Sequence, residues 1–252
     1  METPQQASTI ARFDRVALRY GQGPEILRDI CLELPAGSFH FLVGRSGAGK
    51  TSLLRLVYIA LRPTAGRLEV FGTDIASASR AELPPLRRRI GIVFQDFRLL
   101  PELTLYDNVA LPLRLAGCGE EEISRHTTQL LGRMGLNVLA RSRPPSLSGG
   151  QQQLAAIARA VITRPRLLIA DEPTASVDEA LALRLIRLFQ ELNRLGTTVL
   201  IATHNERLAE RFRQPRLRLS DGRLTRDAGR SESIAEAAVG RGGAEVAEVE
   251  VA

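Results

Sequence analysis

The sequence predicts an α/β fold on a mostly parallel sheet, with an inserted α-helical subdomain. Three observations carry this. Short apolar strands alternate with helix-periodic segments along most of the chain. One strand, residues 39–43, runs directly into a glycine-rich turn and then a helix. From about Phe97 to Ile162 the pattern is helical, with no convincing strand.

Taken in order, alternation at Val16, Leu18 and Tyr20 marks an early strand, and Leu32 and Leu34 mark a second. Pro35-Ala36-Gly37 makes a turn before the buried strand Phe39–Val43, and the helix TSLLRLVYIAL is ended by Pro63. Arg67–Gly72 and Ile90–Gln95 are further strands. Leu105–Ala116 is helical but contains Pro112, which predicts a kink or break. Glu121–Met134 and Gln151–Ile162 show helix spacing. Arg166–Asp171 returns to strand, Glu179–Leu195 is a helix stopped by Gly196, and TTVLIAT is a strand. Leu217 and Leu219, then Ser-Asp-Gly and Leu224, predict a hairpin. The folded domain is expected over 10–227. Residues 228–252, with five glutamates against two arginines and few large apolar residues, are expected to form a disordered acidic tail.

At 252 residues, 44% hydrophobic and 25% charged, the composition is that of an ordinary globular chain. No run approaches 18 consecutive apolar residues, so no membrane span is expected. The stretch METPQQASTIARF lacks the features of a secretory signal. Cys31 and Cys118 form no disulfide or metal framework, which suits a reducing, cytoplasmic setting. The net charge of +6 invites a nucleic-acid reading. Against it, the arginines are scattered, their longest cluster is Arg87, Arg88 and Arg89, and only 4% of residues are aromatic.

Gly44, Gly49, Lys50 and Thr51 meet the pattern G-x-x-x-x-G-K-[ST] between a predicted strand and a predicted helix. Across Gly44, Arg45, Ser46, Gly47, Ala48 and Gly49 the backbone can curl so that N–H groups point at phosphate oxygens. Thr51 is placed to ligate Mg²⁺. Of the 34 basic residues one is lysine, leaving 33 arginines, and that lysine is Lys50. A compact ammonium fits between two phosphates where a planar guanidinium forks its donors too widely.

Asp171 and Glu172 end an apolar strand. The aspartate can hold Mg²⁺ through water, and the glutamate can deprotonate an attacking water. His204 ends a second apolar strand, suited to contact a γ-phosphate. Leu147-Ser148-Gly149-Gly150-Gln151 precedes a helix and makes a second helix-N-terminal anion site.

With GRSGAGKT, Gln95, LSGGQ, LLIADEPT, Asp178 and Thr-His-Asn in this order, residues 10–226 resemble the ATP-binding cassette (ABC) ATPases. The resemblance implies an N-terminal antiparallel β portion beside the P-loop core, ATP and Mg²⁺ as cofactors, and hydrolysis to ADP and phosphate. It implies that Tyr20 stacks on adenine, that Ser52 and Asp178 lie at the nucleotide, and that Gln95 joins Thr51 and Asp171 around Mg²⁺. It also implies a homodimer, in which Ser148, Gly149, Gly150 and Gln151 cap the nucleotide held by the partner's phosphate loop.

Lys50 and Asp171 are 121 positions apart, with no sustained heptads or cysteine cluster between them, which argues against the DNA-associated branch of the family. The membrane-coupled class remains, and with no span of its own the chain needs an integral membrane partner. The resemblance places that partner near the Gln95 loop and the chain on the cytoplasmic face of the membrane. QDFRLLPELTLYDNVALPLRLAG resembles the cell-division members of the family, which signal to cell-wall hydrolases with other division proteins. Lipoprotein-releasing and macrolide-export relatives are the alternative. ASVD, Leu154 and Thr-His-Asn depart from the usual pattern without removing a phosphate-, Mg²⁺- or water-handling group.

Overall fold

The N-terminal strands are longer than their sequence pattern. In the computed structural model, which describes residues 9–227, β1 spans Thr9–Arg19 and β2 spans Glu25–Pro35. Arg15 (φ 48°) and Asp29 (φ 51°) take left-handed backbone, and the β1–β2 register shifts between Phe13 and Val16. Such bulges break strict alternation, which hid the outer half of each strand. β4 (Ala65–Val70) and β5 (Thr73–Asp74) complete an antiparallel sheet of order β2-β1-β4-β5, as expected. Gly66 serves the β1 bulge: a Cβ there would lie 2.2 Å from the Arg15 carbonyl oxygen.

The second sheet contains β3 (Phe39–Val43), β6 (Ile90–Val93), β7 (Leu167–Asp171), β8 (Thr198–Thr203), β9 (Arg216–Ser220) and β10 (Arg223–Asp227). Its order is β10-β9-β3-β8-β7-β6, parallel except for the hairpin strand β10. Both faces are covered, so its central strands are mostly apolar, and all six residues of β8 are buried. On one face Phe41, Val43 and Ile201 pack with Phe189, Ile157 and Val109 from helices. On the other, Leu42, Leu200 and Leu217 meet Leu53 and the antiparallel sheet through Leu27, Leu34 and Leu68. The ends of the described chain meet at Glu33 on β2. Its side chain accepts from Thr9, and its carbonyl oxygen accepts from Arg226.

The helices are α1 (Lys50–Val57), α2 (Leu83–Arg87), α3 (Leu105–Leu115), α4 (Glu120–Met134), α5 (Gly149–Val161), α6 (Glu179–Arg194) and α7 (Glu206–Arg211). Helix α1 stops well short of Pro63 because Ile59 turns to φ 62° and buries its side chain. Helix α3 continues through Pro112, so the proline does not break it. The Pro112 carbonyl oxygen still accepts from the Ala116 N–H at 3.0 Å, so only the bond from the missing N–H is lost. Helices α3, α4 and α5 pack on one another between β6 and β7 as the inserted subdomain. No helix among the described residues is long and apolar enough to cross a membrane. The acidic tail expected over 228–252 lies outside the described residues.

Candidate active site

Strand β3, interior to the parallel sheet, delivers the glycine-rich loop at its C-terminal end. β9 passes so close that a Cβ on Gly44 would sit 2.3 Å from the Leu219 carbonyl oxygen. Gly47 (φ 81°) and Gly49 (φ 103°) hold the left-handed turns that an L side chain resists. Gly49 starts α1 without a side-chain cap, so the first-turn N–H groups are left to an anion. The Ala48 N–H closes the loop on the Arg45 carbonyl oxygen at 3.2 Å. Lys50 folds back over this loop and is buried. Its Nζ donates to the carbonyl oxygens of Gly44 (2.8 Å) and Arg45 (3.3 Å) and lies 3.5 Å from Glu172 Oε1. Tyr20, just past β1 and 39% exposed, places its hydroxyl 3.2 Å from Ser52 Oγ. An exposed ring tethered to the first turn of α1 is free to stack on a planar ligand.

Asp171 closes β7. Its Oδ2 accepts from the Thr51 hydroxyl at 2.9 Å, while Oδ1 is buried with no hydrogen-bond partner. Burial raises its pKa, and the Glu172 charge adds to this; the Thr51 hydroxyl and Lys50 pull the other way. A buried carboxylate oxygen without a partner, beside a hydroxyl, fits a hard cation with oxygen ligands. Thr51, Gln95, Asp171 and Ser176 line one cleft of about 360 Å³. No cluster of three His, Cys, Asp or Glu able to hold a metal exists among the described residues. A Mg²⁺ here would therefore complete its shell with phosphate and water, as this ion usually does.

Glu172 stands next in the chain with φ 47°, a strained geometry for a non-glycine residue. Its N–H donates to the Ala202 carbonyl oxygen at 2.9 Å, tying the turn to β8. Its side chain is 10% exposed, and Oε2 accepts from the His204 N–H (3.2 Å) and pairs with His204 Nδ1 (2.9 Å). Lys50, Glu172 and His204 thus form one chain of polar contacts at the C-terminal ends of β7 and β8. The backbone strain falls on the residue at its centre.

The Ser148–Gln151 turn lies outside that network. Helix α5 begins at Gly149, two residues before the expected start, so both glycines belong to its first turn. Ser148 accepts from the Gln151 N–H at 3.3 Å, and Gln151 Oε1 accepts from the Ser148 N–H at 2.9 Å, a reciprocal cap. A Cβ on Gly150 would come within 2.7 Å of Leu181. Asp178 caps α6, accepting from the Leu181 N–H at 2.8 Å. Among the described residues, no hydrogen bond or ion pair joins Ser148–Gln151 or Asp178 to Lys50, Thr51, Asp171, Glu172 or His204. Within the described chain the two groups of site residues thus share no hydrogen bond or ion pair.

Several residues at the site escape a reading by motif. Asn205 caps α7, accepting from the Leu208 N–H at 3.0 Å, which gives the Thr-His-Asn departure a local purpose. Leu154 packs on the core under α5. Asn108, fully buried, donates to the carbonyl oxygens of Leu100 (3.0 Å) and Thr104 (3.0 Å) and accepts from the Leu100 N–H at 2.7 Å. Arg159 holds two carbonyl oxygens beyond Gln95. A buried asparagine at helix spacing was a usable signal; one arginine among 33 was not.

Residues 27–175 match the family model described as ABC transporter. The chain is similar to the cell division ATP-binding protein FtsE of Escherichia coli strain K12, at 45% identity over 84% of this chain and 96% of that one. It is also similar to FtsE of Streptococcus pneumoniae strain D39, at 37% identity over 89% of this chain and 97% of that one. Among solved structures, a dimeric post-hydrolysis state of the ATP-binding cassette MJ0796, bound to ADP and Pi, superposes with a TM-score of 0.79. It is 31% identical and covers 86% of this chain and 97% of its own. The cbiO1 structure from Clostridium perfringens, part of the ABC transporter complex cbiONQ, gives 0.81 at 29% identity over 92% and 93%.

Proposed function

This chain belongs to the ABC transporter family of ATP-hydrolysing cassettes, and from that premise we propose that it is the ATPase subunit of an FtsE-type cell-division complex. The observation that supports a hydrolytic site is the convergence of Lys50, Glu172 and His204 beside the Thr51–Asp171 pair. In this reading the loop N–H groups of Gly44–Gly49 and the start of α1 cradle the phosphates, and Tyr20 packs on the base, with Ser52 beside it. Lys50 moves from the Gly44 carbonyl to the phosphates and neutralises charge developing there. Thr51, Asp171 and Gln95 would hold Mg²⁺, which when bound supplies charge neutralisation at the phosphate oxygens. Glu172 accepts a proton from the attacking water, and His204 holds the Glu172 carboxylate in place while facing the γ-phosphate.

Ser148–Gln151 and Asp178 lie apart from their own chain's Lys50 cluster. That separation supports a homodimer in which they close over the partner's nucleotide. The similarity to FtsE over most of both chains supports a membrane partner of the FtsX type, docking beside the Gln95 loop at the cytoplasmic face. Through it, closing and reopening of the dimer would pass to cell-wall hydrolases outside, with no solute moved.

Replacing Glu172 with Gln tests the assignment. The variant is expected to bind ATP and accumulate as a dimer while turnover falls about 10²- to 10⁴-fold, the range for loss of a general base. Steady-state phosphate release at the wild-type rate would reject Glu172 as the base. Purification from membranes with a four-span protein carrying one large external loop supports the division role. A partner with a long lipoprotein-binding or efflux domain points to the transport relatives.

A further inference from the structure

Residues 94–104, between β6 and α3, carry Gln95 and have no helix or strand of their own. They are nonetheless tightly held. Phe97 (φ 57°) and Arg98 (φ 48°) are consecutive left-handed residues, an unfavourable geometry for side chains with a Cβ and most of all for a bulky ring. Local contacts brace the turn. The Arg98 N–H donates to the Asp96 carbonyl oxygen at 2.6 Å, and the Arg98 guanidinium lies 4.0 Å over the Phe94 ring. Its Nε also pairs with Asp96 Oδ1 at 3.1 Å.

The main grip comes from another element. Arg159 on α5 donates from Nη2 to the Phe97 carbonyl oxygen at 2.8 Å and from Nη1 to the Arg98 carbonyl oxygen at 2.5 Å. Two successive carbonyls converge on one guanidinium, which they can do only while the strained turn is kept. Arg159 has no carboxylate partner among the described residues, and partial burial lowers its pKa, so the two carbonyl dipoles are the protein groups that face its charge. The residue lies 11 positions beyond Ser148 on one uninterrupted helix, about 16 Å along the axis.

We propose that Arg159 is a positioning residue that couples the Ser148–Gln151 turn to the Gln95 loop, so that any movement of α5 on dimer closure is delivered to Gln95. This rests on the roles given above to Ser148 and Gln95. A guanidinium suits the task because its rigid fork meets two carbonyls at once, whereas a lysine is a point donor on a flexible stem.

The test is a double-mutant cycle on the full-length chain, reading kcat, KM for ATP and the thermal midpoint. Arg159→Ala is expected to lower kcat roughly tenfold with KM changed less than about twofold, the pattern of a lost transition-state arrangement within one hydrogen-bond network. Arg159→Lys should fall between that variant and wild type. The double variant Arg159→Ala/Gln95→Ala should turn over within about twofold of Gln95→Ala alone, because the two residues act through one route. Multiplying losses would overturn the coupling, as would a lowered midpoint with wild-type kcat in Arg159→Ala. Gln95→Ala turning over like wild type would overturn the role given to Gln95, and the proposal with it. Should Arg159→Ala fail to fold, Arg159→Lys runs the same cycle under the same criteria.

Discussion

Lys50 ends its side chain among two backbone carbonyls and one carboxylate, all within 3.5 Å of Nζ. Three acceptors around a point suit an ammonium with three donors. A guanidinium has five donors in a plane and cannot place them in so small a space, which gives the lone lysine a physical basis. Lys50→Arg is accordingly expected to retain the fold and lose at least about 90% of ATPase activity, some 1.4 kcal/mol of transition-state stabilisation. Turnover near wild type, measured as phosphate release at saturating ATP, would remove that basis. The cluster of Lys50, Asp171, Glu172 and His204, proposed above as catalytic, could be picked out at this scale because its residues sit at strand ends and in a spaced motif. Arg159 and Asn108 could not, since their partners are backbone carbonyls of an irregular segment that no periodicity announces.

At the scale of elements, the central parallel strands were legible because burial on both faces leaves unbroken apolar runs. Bulged β1 and β2 were read only in part. The short elements β5, α2 and α7 were missed, being too brief to show a period. Strand β3 carries a consequence of its own. Alternation puts Phe39 and Phe41 on the helical face and His40 on the other, where its Nδ1 is buried without a partner. Burial, with the nearby Arg226 charge, lowers the His40 pKa from 6.5 to about 4. The unfolded chain therefore binds the proton first as pH falls. Stability is full above about pH 6.5 and declines toward pH 4, by up to about 3 kcal/mol from this group. Denaturant titrations across that range should show His40→Gln with a shallower acid decline than wild type. Equal slopes would mean that His40 does not titrate in this way.

At the scale of the whole molecule, the two separated groups of site residues make oligomeric state the decisive measurement. In a Glu172→Gln background, adding Ser148→Arg should abolish the ATP-dependent dimer on size exclusion while each chain still binds ATP. The added bulk and charge would sit where the partner's nucleotide is expected, and the lost cap costs only about 1 kcal/mol. A folded double variant that no longer binds ATP as a monomer would place Ser148 in its own chain's site and reject the shared one.

The contacts that Thr9 and Arg226 both make with Glu33 have a mechanical meaning. Thr9 at the start of the described residues and Arg226 near their finish are tied to the same residue, and the Arg28 N–H adds a bond to the Gly222 carbonyl oxygen at 2.8 Å. The two sheets with their hairpin therefore form a ring of backbone. The helices between β6 and β7 leave it and return through adjacent parallel strands. They pack against the helical face of that sheet through Val109 and Ile157, outside the ring that the contacts at Glu33 close.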